Sequence, residues 1–166
     1  MRKIRPEELT QNVFGLIGDT WMLVSAARDG VANTMTASWG GLGVLFGKKV
    51  AFLFIRPQRY TKEFIDASET LSLTFLNDSW KKELSYIGSV SGRQEDKIAN
   101  TGLELLWKDG TPYFAQGKLI LFCRKLYAQE MDPKCFLDSD ILKRWYANHD
   151  FHTAYVVEIE QAFMSE

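Results

Sequence analysis

The dipeptide Asp29-Gly30 restricts the fold of this chain more than any other pair of residues in it. It lies between two β-prone runs, Trp21–Ala27 and Ala32–Gly40, and glycine accepts the positive φ that a tight hairpin turn needs. The two runs are therefore expected to be antiparallel neighbours. Further runs of strand type follow: Val50–Ile55, apolar at every position; Leu71, Leu73 and Phe75 alternating with Ser72 and Thr74; Leu103–Trp107; Leu119–Leu126; and a last strand in which Tyr155, Val157 and Ile159 alternate with Val156, Glu158 and Glu160. Helical spacing is confined to short pieces. Thr61 is placed as the N-cap of a helix through Phe64, Ile65 and Ala67, Trp80, Leu84 and Ile87 recur at helical intervals, Gly102 ends a piece from Asp96 to Asn100, and Ser139 is placed to cap a helix carrying Ile141, Leu142, Trp145 and Tyr146. About six strands broken by short helices, with no regular βα alternation, speak against a doubly wound sheet. The expected class is mainly β with short helices (α+β), built as a closed or nearly closed antiparallel barrel.

The chain of 166 residues fits one domain spanning residues 1–166, against the usual range of about 100 to 200 residues per domain. A formal net charge of -1 argues against a nucleic-acid binder, which normally gathers a basic excess on one face. The start Met1–Glu8 is basic but has no apolar run behind it, and nothing approaches the roughly 20 apolar residues of a membrane span. A cytoplasmic protein acting on small molecules, with no membrane or nucleic-acid partner, is expected. Of the two cysteines, Cys123 reads as a small core residue in an apolar strand and Cys135 stands beside Pro133, so both are read as reduced thiols.

Chemistry is concentrated in two segments. Asn33-Thr34-Met35-Thr36-Ala37-Ser38 places an amide and small hydroxyls on a β-prone stretch, where residues two apart share a face and can offer donors to a flat polar heterocycle. The same row also reads as a strand whose threonines face water. Arg56-Pro57-Gln58-Arg59-Tyr60-Thr61 follows an apolar strand and offers two guanidinium groups, a hydroxyl and helix N-terminal amides, the elements of an anion clamp; it reads equally as a solvated surface loop. The glycine-rich piece Gly40–Lys49 is one residue short of a phosphate-binding P-loop and has Lys49 where that motif needs Ser or Thr. It is read as a mobile connection. His149 and His152 form a His-x-x-His with no further ligand set, so no metal is expected.

Taken in order, Asn33–Gly40, then Arg56-Pro57-x-Arg59-Tyr60-Thr61, then Ser91-Gly92-Arg93-Gln94-x-Asp96-Lys97 resemble the flavin reductase-like family of FMN-binding split β-barrels, flavoredoxin among them. The likeness runs from about Phe14 to Ile159 and rests on three motifs in the family's order. Gln94 departs from it, since the family usually carries Asp there. The resemblance implies an antiparallel split barrel of FMN-binding type, a cytoplasmic homodimeric flavoprotein, and a cofactor site drawn from Asn33, Met35, Thr36, Ala37, Ser38, Trp39, Arg56, Arg59, Tyr60, Thr61, Ser91, Gly92, Arg93 and Lys97. His152 resembles the histidine that precedes the last barrel strand in several flavin reductases, and it is the candidate neighbour of the nicotinamide or flavin. Three functions stay open at this point. One is an oxidoreductase passing hydride from NADH or NADPH to flavin; another is a flavoredoxin-like electron carrier serving a redox protein partner; the last is a non-redox ligand-binding protein on the same barrel.

Overall fold

The computed structural model describes residues 1–165. In chain order its strands are β1 (Arg2–Ile4), β2 (Met22–Arg28), β3 (Val31–Ala37), β4 (Gly40–Leu45), β5 (Lys48–Ile55), β6 (Thr70–Phe75), β7 (Leu105–Lys108), β8 (Thr111–Phe114), β9 (Leu119–Glu130) and β10 (Thr153–Met164). The helices are α1 (Val13–Gly15), α2 (Thr61–Ala67), α3 (Lys81–Ser89) and α4 (Ser139–Trp145). Asp29 and Gly30 adopt φ of 52° and 76°, and the turn they make sets Arg28 opposite Val31 in the β2–β3 hairpin. The mainly antiparallel α+β barrel expected from the sequence is the architecture found.

The principal sheet has 8 strands, in the order β3-β2-β6-β9-β10-β5-β4, with β1 added beside β10. Each pairing in it is antiparallel. Its path begins at β3 and ends at β4, two strands joined in the chain only through Ser38 and Trp39. The barrel is therefore split between sequence neighbours, and the split is where a ligand has room. The inner core is made by Val24, Leu53, Ile55, Leu71, Leu73, Leu121, Tyr155 and Val157, among others. A second cluster, Leu23, Leu76, Leu84, Ile87, Leu103 and Phe114, packs α3 and β8 against the outside of the sheet. Burial at such positions contributes about 1.5 to 3 kcal/mol for each large aliphatic side chain.

Several expectations are corrected. Gly40–Lys49 is not a loose connection: it holds β4 and enters β5 through a tight turn with φ of 55° at Phe46 and 68° at Gly47. Its glycines give clearance rather than mobility. A Cβ on Gly40 would lie 2.5 Å from the Phe52 carbonyl oxygen, and one on Gly43 would lie 3.4 Å from the Phe52 ring. Thr61 is the first residue of α2 and Tyr60 occupies the cap position, without a side-chain cap bond. The last helix is likewise capped one residue earlier than expected, by the Asp138 carboxylate accepting from the Asp140 amide. Thr111 and Pro112, which lie outside the strand runs read from the sequence, belong to β8, which pairs with β7 in a separate ribbon. That ribbon covers the polar face of β6, so Ser72 is buried and donates to the Pro112 carbonyl at 2.6 Å. Of the apolar residues that precede β2, Ile17 is buried whereas Phe14 is 90% exposed.

Candidate functional site

Strand register gathers the site at the split. Ile55 pairs with Thr153 in the β5–β10 ladder, so Arg56, just past β5, and His152, just before β10, meet at one end of the barrel. The end of β3 and its link to β4 supply the facing wall. Together they enclose a cavity of about 330 Å³ lined by Met35, Thr36, Ala37, Ser38, Trp39, Phe54, Arg56, Arg59, Trp145 and His152, within the size range of small-molecule sites, about 300 to 1,000 Å³. Because β3 is an edge strand, every other backbone N–H and C=O along it is left free of the ladder.

The two arginines of this cavity are held in different ways. Arg56 donates from Nη1 to Asp150 Oδ2 at 2.5 Å and from Nη2 to the Trp145 carbonyl at 2.9 Å, and its guanidinium carbon lies 5.2 Å from the centre of the Tyr146 ring. Gln58 donates to the same Asp150 oxygen at 2.7 Å; its amide, aided by Arg56, holds the Asp150 carboxyl below the usual range. Arg59 donates from Nη1 to the Gly88 carbonyl at 2.7 Å, while its Nη2 is buried with no hydrogen-bond partner among the described residues. Burial lowers its pKa, and a buried guanidinium with an unused donor requires an acceptor from elsewhere.

The aromatic wall is continuous. Trp39 packs edge-on to Trp145, with ring centres 5.0 Å apart, and lies 5.2 Å from the His152 ring. His152 Nδ1 is hydrogen-bonded to the Tyr146 hydroxyl at 2.7 Å. Burial, with the Arg56 charge adding to it, lowers the His152 pKa to about 4, so the imidazole is neutral at physiological pH. On the opposite wall the Thr36 hydroxyl donates to the Leu84 carbonyl at 2.5 Å and is thereby tied to α3; the Ser38 side chain is exposed.

Of the expected site residues, Met35, Thr36, Ala37, Ser38, Trp39, Arg56, Arg59 and His152 meet in this cavity. Asn33, Tyr60, Gly92 and Lys97 line a second cavity of about 240 Å³. Thr61 is 1% exposed, and its hydroxyl accepts from Asn33 Nδ2 at 3.2 Å. Ser91 accepts from the Arg93 amide at 3.3 Å. Arg93 pairs with Glu63 and lies over the Tyr60 ring. A Cβ on Gly92 would sit 2.6 Å from Asn33 Oδ1, so the glycine lets this loop lie against β3. Lys97 is buried and donates to the Ile87 and Val90 carbonyls at 3.3 Å each; burial, then the Arg59 charge, lowers its pKa to about 8. Phe54 and Trp145 escaped the sequence reading because both look like ordinary core residues. The signal for Phe54 was its position two residues before Arg56, at the end of the apolar run that Arg56 follows.

An antiparallel barrel split at the β3–β4 link, with aromatic rings and a guanidinium short of one partner lining a single cavity there, defines a split-barrel class. The chain belongs to the flavin reductase-like family, whose model, described as "Flavin reductase like domain", matches residues 14–166. No curated protein matches the chain. Among solved structures it is similar to flavoredoxin from Methanosarcina acetivorans, with 22% identity and a TM-score of 0.70 over 100% of this chain and 76% of that one. It is also similar to an FMN-binding domain of a flavin reductases-like enzyme from Shewanella baltica, with 18% identity and a TM-score of 0.71 over 98% and 76%. A third similarity is to the NADH:FAD oxidoreductase of Streptomyces globisporus, with 14% identity and a TM-score of 0.66 over 88% and 75%. At these identities the likeness establishes the split-barrel fold.

Proposed function

We propose that this chain is an FMN-binding oxidoreductase that acts as an NADH- or NADPH-dependent flavin reductase. The observation that carries the reading is Arg59, which lines the cavity with a buried Nη2 that no group among the described residues satisfies. A phosphate oxygen is the acceptor such a donor needs, since charge-assisted bonds to phosphate are among the strongest available to guanidinium. The donors present fit FMN: Arg59 for the phosphate, the free backbone groups of β3 and the Ser38 hydroxyl for a ring edge, and Trp39 and Trp145 as aromatic walls. When bound, FMN supplies the hydride-accepting ring. The chain's own groups bind, orient and exclude water, and the neutral His152 polarises without transferring a proton.

The homodimer implied by the family resemblance belongs to the same proposal, as does a cytoplasmic setting. Among the described residues no helix is long and apolar enough to cross a membrane. The rim of the cavity leaves Trp39 38% and Trp145 41% exposed, a surface suited to a second copy. It also favours the second reading, a flavoredoxin-like carrier that exchanges electrons with a protein partner. Anaerobic addition of NADH or NADPH to the flavin-loaded protein separates the two: bleaching of the flavin absorbance supports the reductase. Ser38→Ala should slow this step more than it weakens FMN binding, because a donor at the ring edge matters most as negative charge develops. Flavin that stays oxidised under both nicotinamides, yet is reduced by dithionite or a protein donor, selects the carrier. Sedimentation of the loaded protein as a monomer contradicts the dimer.

A further inference from the structure

We infer that Tyr146 is a positioning residue that holds His152 as the tautomer with its proton on Nε2, making His152 a neutral hydrogen-bond donor to a carbonyl oxygen of the cavity ligand. The inference rests on the proposed function only for the identity of that ligand.

The Tyr146 hydroxyl has one proton and two candidate acceptors, His152 Nδ1 at 2.7 Å and the Met131 sulfur at 3.7 Å. An imidazole nitrogen at the shorter distance is much the stronger acceptor, thioether sulfur being a weak one. The proton therefore lies toward Nδ1, whose lone pair is used in accepting it. In a neutral imidazole the remaining proton then belongs to Nε2. Among the described residues Nε2 has no partner, and it is not one of the buried unsatisfied atoms, while His152 lines the cavity beside Trp39. The ring is fixed from several sides. Tyr146 is 5% exposed, stacks on Phe151 with ring centres 4.9 Å apart, and lies under the Arg56 guanidinium. The charged groups acting on His152 are Arg56 and Asp150, and they are paired with each other. A neutral N–H set in an aromatic wall selects a ligand atom that accepts without carrying a full negative charge, as the carbonyls of a flavin ring or of a nicotinamide carboxamide do.

The test is long-range proton–nitrogen NMR of the purified protein labelled at its histidine nitrogens, with His149→Gln used to assign the His152 signals. Tyr146→Phe retains the ring packing and removes only the hydroxyl. We expect a pyrrole-type Nε2 and a pyridine-type Nδ1 in the unaltered protein, and a mixture of tautomers in the variant. The variant's ligand constant should rise about twofold, in inverse proportion to the fraction of His152 that still carries its proton on Nε2. A rise in the FMN Kd assigns the carbonyl to the flavin; an unchanged Kd with a raised KM for the nicotinamide assigns it to the hydride donor. A proton on Nδ1 in the unaltered protein, or an unchanged tautomer in Tyr146→Phe, overturns the inference, as does a changed tautomer with neither constant shifted. If the protein takes up no flavin while the nitrogen pattern is as expected, the flavin reading fails and the tautomer assignment stands.

Discussion

Arg56 and Arg59 stand three residues apart in the sequence and line one cavity, yet the fold completes the environment of only one of them. Around Arg56 both Nη atoms are used, on the Asp150 carboxylate and the Trp145 carbonyl. Around Arg59 no acidic partner is present among the described residues: Nη1 has the Gly88 carbonyl and Nη2 has nothing. Lys97 on that side is in a similar position, with two carbonyls near the end of α3 as its only partners among the described residues. The helix C-terminus carries a partial negative charge that offsets part of two positive ones, which leaves the region electrostatically unfinished. On the function proposed here the Arg56 region is structural and the Arg59 region takes the anion, although the two arginines look interchangeable in sequence.

The largest expected effect lies on the Arg56 side and tests whether that region is closed to added charge. His152 has its pKa lowered to about 4 in the folded protein by burial, against an ordinary value near 6.5. The unfolded chain binds that proton more readily, so stability is unaffected well above about pH 6.5 and falls as the pH drops from there toward about 4. A shift of this size corresponds to about 3 kcal/mol. Chemical denaturation at a series of pH values should show the loss, and His152→Gln should remove most of it.

Arg59→Met sharpens the contrast from the other side. It should weaken FMN binding on the order of 100-fold, the upper range for a hydrogen bond to a charged group, without lowering the melting temperature of the flavin-free protein, because the side chain it removes has an uncompensated buried donor. Fluorescence titration and thermal melts measure the two quantities independently. Arg56→Met should do the reverse. It leaves Asp150 short of its partner, and with the two side chains 22% and 20% exposed the expected loss of stability is only about 1 to 2 kcal/mol. FMN affinity should change by less than about threefold, below the worth of one typical hydrogen bond. Equal effects of both substitutions on FMN affinity would break the comparison.

Much of this was legible in the residues. Asp29-Gly30 announces the hairpin because few dipeptides accept its backbone angles, and the alternation of Leu71, Leu73 and Phe75 announces β6 because one face meets the core. The β4 strand was hidden by its glycines, which read as flexibility until the Phe52 ring and carbonyl are seen lying against them. The β8 strand was hidden by Pro112, tolerated because its ribbon is separate from the main sheet. The β3 and Arg59 contributions to the site could be named from sequence, since amide, hydroxyl and guanidinium groups are chemically conspicuous. Which arginine keeps a free donor depends on Asp150 and Trp145, nearly a hundred residues downstream of Arg56, and that long-range pairing has no local signature. Asn33, Thr61 and Lys97 show the converse: conspicuous groups whose hydrogen bonds are partly taken up by the protein.

Whether the free donor of Arg59 is there for a phosphate is a question that one pair of ligands decides. FMN and riboflavin carry the same ring and differ at the phosphate, so calorimetric titration of each into the flavin-free protein isolates that contact. FMN should bind more tightly by at least about tenfold, as expected for a charge-assisted hydrogen bond, with the difference shrinking toward none in Arg59→Met. Equal affinities for FMN and riboflavin in the unaltered protein would contradict it.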